Sequence, residues 1–440
     1  MGTTIQTQFA LLGSSPPVNG NPMNQTDQLL AFLQNSPSPF HGAGEAIKIL
    51  SQAGYAELKE GEAWPENLTG KYWVTRNDSS LIAFHLTEQL DELGLRLIGA
   101  HTDSPCLKVK PLADEQKQGH WTLGIEPYGG VLLATWFDRD LSLAGRVSWL
   151  DDQGNLQNTL VNLEKPVAVI PSLAIHLRRN ANDGWKINPQ KELNPILSLP
   201  GVEGDLRAYL KQHCLGGVGT VLDYDLFFYP TEAPQLIGVN QEMIASARLD
   251  NLLSCFAATQ SLSTHQGPVS AMMVLNDHEE VGSRTSAGAA GNFLESVLDR
   301  ICQDRPQKAQ LLSRSSLLSV DNAHAVHPNY ADQHDPKNAP LLGAGPVIKS
   351  NASQSYITDS VSSARFQKIC QSRSIPYQHF ATRADLRCGS TIGPLTVQRI
   401  GISGLDIGVP TLGMHSIREL MAQKDLGYLI EAMNGWLEET

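Results

Sequence analysis

Residues 95–105 read LRLIGAHTDSP and join a short apolar run to a cluster of polar residues. A brief apolar run of this kind, bounded by polar residues, is typical of a buried strand. The polar residues that follow, beginning with His101 and Asp103, would then stand at the carboxyl end of that strand. In open α/β sheets, functional sites form outside the carboxyl ends of strands. The stretch therefore predicts an α/β fold with a site that contains His101.

Two later stretches repeat this arrangement. Residues 271–275, AMMVL, precede the acidic pair Glu279 and Glu280, and the apolar residues 317–320 precede Asp321. Three apolar strands would thus each end in side chains that can bind a metal or move a proton. We expect these ends to lie together at one edge of a sheet.

The segment between residues 108 and 244 differs in pattern from the rest of the chain. Alternation of apolar and polar residues predicts a strand at 143–150, with further strand candidates at 167–170 and 226–229. Helical patterns are predicted at 26–34, 43–53 and 249–261. The segment is therefore predicted to be a β-rich domain inserted into an α/β domain.

The chain length supports a division into two domains. The chain has 440 residues, whereas a single core rarely grows beyond about 250–300 residues. We predict one domain formed by 23–107 and 245–440, with a central mixed sheet flanked by helices, and an inserted domain at 108–244. Residues 1–22 are rich in Gly, Ser, Pro and Asn, which predicts a flexible tail.

Composition excludes several classes of protein. The net charge of −12, without a dense Lys/Arg run, argues against nucleic-acid binding. No apolar run approaches the about 20 residues that span a bilayer, and the N-terminus lacks the pattern of a secretory signal. The six cysteines form neither a CxxC pair nor a dense disulfide framework. We therefore expect a cytoplasmic enzyme that binds neither nucleic acid nor membrane.

The residue types at the predicted strand ends suit metal-assisted hydrolysis of an amide. Two divalent ions that share a carboxylate can activate a water molecule and stabilise the oxyanion. Asp103 lies two residues after His101, where its carboxylate could accept the second imidazole N–H and orient the ring. Of two adjacent carboxylates such as Glu279 and Glu280, one can bind a metal while the other acts as a general base.

Each of these residues also has a simpler interpretation. An HxD triplet can merely cap a loop, and Asp250 could be an acid favoured by a helix dipole. Glu279 and Glu280 could form a solvated acidic turn, and a lone residue such as His415 is more often structural than a ligand. The interpretation as a metal site therefore depends on the residues occurring together.

Six motifs together resemble the aspartyl aminopeptidase family. The similarity extends from about residue 26 almost to the C-terminus, and the run DNAHAVHPNY is especially specific. The motifs are HTDSP at 101–105, ARLDN at 247–251, EEVGS at 279–283, DNAHAVHPNY at 321–330, GPVIK at 345–349 and MHSIRE at 414–419.

The resemblance implies two divalent ions per subunit, zinc with manganese or cobalt as exchangeable alternatives. It implies that Glu279 is the general base and that Asp103 orients His101. The implied ligands are His101, Asp250 and Asp321 for one ion, and Asp250, Glu280 and His415 for the other.

The resemblance also implies a substrate class and an assembly. Family members remove N-terminal Asp and Glu from peptides, and His324, Lys349 and Tyr356 match their substrate-binding positions. His176 matches a histidine that reaches the active site of a neighbouring subunit. The inserted segment matches the dimerisation domain, and such dimers build a tetrahedral shell of twelve subunits.

Two other functions remain open from the sequence. A related two-metal hydrolase could be a broad aminopeptidase or an acyl-amino-acid deacylase, which assays on Leu-peptides and N-acyl substrates would detect. A non-enzymatic shell or cargo protein could keep the same fold, although the complete ligand set argues against it.

Overall fold

A computed structural model describes residues 23–440, within which the chain forms nineteen strands and eleven α-helices. The predicted tail at 1–22 lies outside the described residues. The strands are β1 (Ala56–Glu57), β2 (Gly70–Arg76), β3 (Ser80–Leu86), β4 (Leu95–His101), β5 (Cys106–Lys117), β6 (His120–Tyr128), β7 (Leu141–Leu150), β8 (Leu156–Asn162), β9 (Thr220–Pro230), β10 (Gln235–Ile237), β11 (Met243–Ser246), β12 (Ser270–Asn276), β13 (Ser316–Val320), β14 (Ala323–His324), β15 (Val347–Ser350), β16 (Gln378–Ala381), β17 (Ser403–Gly408), β18 (Pro410–Leu412) and β19 (Glu419–Ala422). The helices are α1 (Gln25–Asn35), α2 (Pro39–Gln52), α3 (Leu90–Leu93), α4 (Pro189–Glu192), α5 (Leu206–Cys214), α6 (Leu249–Thr264), α7 (Phe293–Ile301), α8 (Arg305–Ser313), α9 (Ser360–Ser372), α10 (Ile392–Ile400) and α11 (Gln423–Glu438).

The described residues divide into two compact units. The α/β unit contains Asn24–Ser104, Pro234–Met414 and Arg418–Thr440, and the β-rich unit contains Pro105–Ala233 and the short segment His415–Ile417. The domain boundaries drawn from the sequence, at 108 and 244, and the role of the insert in dimerisation stay predictions.

A nine-stranded sheet forms the centre of the α/β unit. Its strand order is β1-β2-β3-β12-β4-β13-β17-β15-β16. The central strands β12, β4 and β13 are parallel neighbours, whereas β3 and β15 pair antiparallel with β12 and β17. The predicted mixed sheet is therefore confirmed. A second sheet of the same unit has the order β10-β11-β19-β18-β14.

Helices cover both faces of the central sheet, because side chains along each strand alternate between the faces. Ile98 of β4 belongs to a buried cluster that includes Leu253 of α6 and Trp436 of α11. Leu97, its neighbour, belongs to a different cluster with Val297 of α7. A strand buried on both sides reads as a mostly apolar run, as the sequence of β4 does apart from Arg96 and the terminal His101.

The predicted strands and helices of the α/β unit are largely confirmed. β4, β12 and β13 are buried along their whole length and cover the three predicted apolar runs. α2 begins at Pro39, four residues before the predicted start at 43. Pro39 fits the first helical position, because the N–H that proline lacks would have no partner there.

The β-rich unit is built on an antiparallel sheet with the strand order β6-β5-β9-β7-β8. Its buried core includes Trp136 and Phe228. The predicted strands at 143–150 and 226–229 lie within β7 and β9. The predicted strand at 167–170 is wrong: only single bridges form at Ala168 and Val169, in a stretch flanked by prolines that cannot donate to a ladder.

Within residues 23–440, none of the helices combines the length and apolarity needed to cross a bilayer.

Candidate metal centre

The carboxyl ends of three neighbouring strands meet at one edge of the central sheet. β12, β4 and β13 run parallel, and the register places Asn276 opposite His101 at the ends of the first two. Glu279 and Glu280 follow β12 by three residues, and Asp321 directly follows β13. The parallel pairing therefore confirms that the three predicted strand ends converge.

His101, Asp250 and Asp321 form a compact group of potential metal ligands. The Nε2 atom of His101 lies 3.6 Å from Oδ1 of Asp250 and 3.6 Å from Oδ1 of Asp321. One ligand atom from each residue lies within 4.8 Å of the other two. His101 and Asp250 are buried, and the side chain of Asp321 is 14% exposed. Three ligands of this kind leave a coordination position open for water or substrate.

The spacing of this group fits a divalent metal ion. A distance of 3.6 Å between nitrogen and oxygen is too long for a good hydrogen bond. Tetrahedral zinc with bonds of about 2.0 Å holds its ligand atoms about 3.3 Å apart, which is close to the observed spacing. One imidazole and two carboxylates are also a common donor set for zinc. The chemistry of the residues and their spacing are therefore both suited to the ion.

The main chain of Asp250 is fixed at the start of α6. Its N–H donates to Oε2 of Glu419 at 2.9 Å, and its carbonyl accepts a hydrogen bond from Oγ of Ser104 at 2.7 Å. Arg248, two residues earlier, has a φ of 61°, which is uncommon for a residue other than glycine. The Arg248 guanidinium donates to the Ser36 carbonyl at 3.0 Å and so helps to hold this conformation. Glu419 is not among the site residues predicted from the sequence, where its only signal is its place at the end of the MHSIRE motif.

Glu279 and Glu280 lie in a short 3-10 turn beside His101. The three side chains form a second group whose ligand atoms lie within 4.8 Å of one another. The N–H groups of Glu279 and Glu280 donate to the two carboxylate oxygens of Asp103, at 3.0 and 3.1 Å. The preceding residue, His278, has a φ of 63°. The turn thus holds two adjacent carboxylates next to the imidazole.

The imidazole of His101 has two neighbouring hydrogen-bond acceptors, both of which belong to Asp103. Its Nδ1 lies 3.1 Å from the main-chain carbonyl oxygen of Asp103 and 3.4 Å from the carboxylate Oδ1. The nearer partner is therefore the main chain, a contact that the sequence did not indicate. The proposed orienting role of the Asp103 carboxylate stays a prediction.

The electrostatics of the site favour a bound cation. Burial and the nearby aspartates together raise the pKa of Glu279 to about 7, against the opposing effect of His101. Burial alone would raise the pKa of Asp321 too, but the Lys349 ammonium and His101 hold it below its ordinary range. Burial would lower the pKa of His101, whereas the carboxylates of Asp103 and Asp321 raise it well above its ordinary value. The carboxylates that favour a proton on His101 would also favour a metal ion, which competes with protons for the same ligand atoms.

Lys349 is almost fully buried behind Asp321, with a relative exposure of 2%. Its ammonium donates to the carbonyl oxygens of Asp321 and Asn322, at 2.9 and 3.1 Å. The same ammonium lies 3.5 Å from Oδ2 of Asp321 and 5.0 Å from the ring centre of Tyr356. Tyr356 is itself buried, and burial raises the pKa of its hydroxyl. Two of the predicted substrate-binding residues therefore lie together beside a predicted metal ligand.

The other three predicted site residues are all histidines. His324 is exposed at the end of β14, with its ring 6.2 Å from that of Phe380. His176 is exposed in the β-rich unit. His415 belongs by its contacts to the same unit, where its Nδ1 lies 3.2 Å from the Gly130 carbonyl oxygen. The roles predicted for these histidines stay predictions.

Comparisons with known proteins identify similar sequences over most of the chain. Residues 32–437 match the family model for the aminopeptidase I zinc metalloproteases (M18). A protein of Azotobacter vinelandii named Probable M18 family aminopeptidase 2 is 50% identical over 416 residues, which cover 93% of this chain and 96% of that protein. A protein of the same name from Pseudomonas putida F1 is 49% identical over the same shares of the two chains.

Solved structures also share the fold. The chain resembles one in the cryo-EM structure of the Ape4 and Nbr1 complex, with a TM-score of 0.91 and 34% identity, over 94% of this chain and 85% of that one. It also resembles the mApe1 dodecamer of Saccharomyces cerevisiae, with a TM-score of 0.81 and 25% identity, over 94% and 96% of the two chains.

Proposed function

The chain belongs to the aminopeptidase I zinc metalloprotease (M18) family, and from that premise we propose that it removes N-terminal Asp and Glu residues from peptides. Membership makes the protein a hydrolase of the zinc aminopeptidase class. The observation that carries the proposal is the group formed by His101, Asp250 and Asp321, with Glu279 beside it. The preference for acidic residues rests on the motifs of the aspartyl aminopeptidases and on the buried ammonium of Lys349.

The proposed cofactor is a pair of divalent ions, zinc in the first place with manganese or cobalt as alternatives. When bound, two such ions supply an activated water molecule and stabilise developing negative charge. The proposed ligands are His101, Asp250 and Asp321 for one ion, and Asp250, Glu280 and His415 for the other.

Glu279 is proposed to move the proton. Its carboxylate accepts a proton from the attacking water, and the resulting hydroxide adds to the carbonyl carbon of the first peptide bond. Glu279 then returns the proton to the leaving nitrogen, and the bond breaks. The position of Glu279 beside His101, on a turn held by Asp103, supports this assignment.

Lys349, Tyr356 and His324 are proposed to bind the substrate. An acidic side chain that enters a buried pocket needs a cation, because an unpaired buried charge is costly. The Lys349 ammonium lies 3.5 Å from the Asp321 carboxylate, so a second acid bound nearby would share that positive charge. Tyr356, under the same ammonium, would border the pocket.

The assembly is proposed to be a homo-oligomer in which dimers, formed through the insert at 108–244, build a tetrahedral dodecamer. In such an assembly His176 would reach the active site of a neighbouring subunit, and its exposure supports this role. The similar yeast structure is a dodecamer. Light scattering coupled to size-exclusion chromatography should give about twelve times the mass of one chain, and a monomeric mass would contradict the assembly.

A substrate panel tests the proposed activity. Purified protein should hydrolyse Asp- and Glu-peptides with a kcat/KM about tenfold or more above that for a matched Leu-peptide, because the buried cation favours an acidic side chain. An N-acetylated Asp-peptide should not react. A chelator should abolish the activity, and added zinc should restore it.

The same panel separates the alternatives. Preference for the Leu-peptide would indicate a broad aminopeptidase, and hydrolysis of the N-acetylated substrate would indicate a deacylase. Protein without metal and without hydrolysis would contradict the enzymatic function altogether. Elemental analysis of the protein as purified provides the metal content for this comparison.

A further inference from the structure

The carboxylate of Asp103 joins two parts of the site that lie far apart in the chain. Asp103 is 1% exposed, and its two oxygens face the turn that carries the acidic pair. Oδ1 accepts the N–H of Glu279 at 3.0 Å, and Oδ2 accepts the N–H of Glu280 at 3.1 Å. One side chain therefore holds two consecutive peptide groups. Hydrogen bonds to an ionised acceptor are roughly twice as strong as those between neutral groups.

The ring of His101 has two partners on Asp103, the main-chain carbonyl oxygen and the carboxylate. Its Nδ1 lies closer to the main-chain carbonyl of Asp103, at 3.1 Å, than to Oδ1, at 3.4 Å. The main-chain carbonyl survives any substitution at position 103. A variant without the carboxylate would thus keep the nearer partner of the ring and lose both contacts to the turn.

The turn needs an external restraint because its backbone is unusual. His278 and Ser283, on either side of it, have φ values of 63° and 60°. Such conformations are strained in residues other than glycine and persist only when the surroundings enforce them. The first N–H groups of a helical turn also have no partner within the turn. The Asp103 carboxylate restrains this backbone and accepts the hydrogen bonds of its first two N–H groups.

We propose that Asp103 is a positioning residue for the turn Glu279–Val281, and that its carboxylate holds Glu279 and Glu280 in addition to its contact with the ring of His101. The consequence for the reaction rests on the proposed function, in which Glu279 is the base and Glu280 a metal ligand. The structural part of the proposal, that the carboxylate restrains the turn, does not depend on that function.

Hydrogen–deuterium exchange tests the restraint directly. Asp103→Ala should speed exchange of the peptide that contains the Glu279 and Glu280 amides by about tenfold or more, since both lose their acceptor. Asp103→Asn should give a smaller increase, because the amide oxygen can still accept one N–H. Unchanged protection of this peptide in Asp103→Ala would overturn the proposal.

Thr102→Val is the matched control. Thr102 is equally buried, and its hydroxyl donates to the carbonyl oxygens of Ser79 and Asn276 instead. The control should lower the melting temperature without faster exchange in the turn. Equal acceleration of the turn in both variants would mean that the effect comes from general loosening, and this would also overturn the proposal.

Kinetics then tests the link to the base. Asp103→Ala should lower kcat by roughly ten- to a hundredfold at saturating zinc, with a smaller change in KM. If the carboxylate acts through Glu279, adding Asp103→Ala to Glu279→Gln should lower kcat little further. Faster exchange in the turn together with additive losses in kcat would keep the restraint but contradict the link from Asp103 to Glu279. Faster exchange together with a non-additive loss in kcat would support both the restraint of the turn and its link to Glu279.

Discussion

Glu279→Gln should lower kcat by about a thousandfold or more while the protein keeps its metal. Glutamine matches glutamate in shape but cannot accept the proton of the attacking water, and general base catalysis contributes about a hundred- to ten-thousandfold. KM for an Asp-peptide should change little, because the proposed base does not bind the substrate. The measurement is steady-state kinetics at saturating zinc, with metal content determined on the same sample.

Glu280→Gln is the informative comparison, because Glu280 is the adjacent carboxylate on the same turn. It should lose zinc as well as activity, since a neutral amide binds zinc poorly. Wild-type turnover in Glu279→Gln would remove that residue from the mechanism. Loss of metal from both variants would assign both side chains to metal binding and leave the base to be found elsewhere.

Lys349→Met should lower kcat/KM for an Asp-peptide by about a hundredfold and for a Leu-peptide by much less. Methionine has a similar length but no charge, so an acidic side chain in the pocket would lose its cation. A hundredfold loss corresponds to about 2.7 kcal/mol. The readout is the ratio of kcat/KM for the two peptides, measured in parallel.

Lys71→Met is a suitable control for this variant. Lys71 also donates to a backbone carbonyl, that of Ala53 at 3.3 Å, and also lies over a tyrosine ring, that of Tyr55 at 5.4 Å. Its replacement should leave the ratio unchanged. Equal losses for both peptides in Lys349→Met, accompanied by loss of zinc, would show that Lys349 supports Asp321 and does not select the substrate.

The strands of the site could be predicted from the sequence because their signal is local. Residues 95–100, 271–275 and 317–320 are apolar runs that end in polar side chains, and each became a buried strand. Parallel strands of one sheet present their carboxyl ends on the same side, so the meeting of His101 and Asp321 followed. The structure departs from these predictions near prolines: α2 begins at Pro39 instead of 43, and no strand forms at 167–170.

Other parts of the site depend on contacts that no local pattern encodes. Lys349 reads as one lysine in a short strand, and its burial against Asp321 follows only from the pairing of distant strands. Glu419 holds the main chain of Asp250, which lies 169 residues away. The hydrogen bonds from Glu279 and Glu280 to Asp103 span 176 and 177 residues. Such contacts can be recognised only after the sheet has assembled.

The strand order of the central sheet has a consequence for biosynthesis. β4 carries His101, yet both of its neighbours in the sheet, β12 and β13, come later in the chain. Between the end of β4 and the end of β12 lie about 175 residues (276 − 101). At a translation rate of about 5–20 residues per second, β4 stays without its partners for roughly 9–35 seconds. During that time the ribosome exposes an apolar strand with two open edges, a segment suited to chaperone binding. A chain that ends before β12 also lacks the strand ends that precede Glu279 and Asp321.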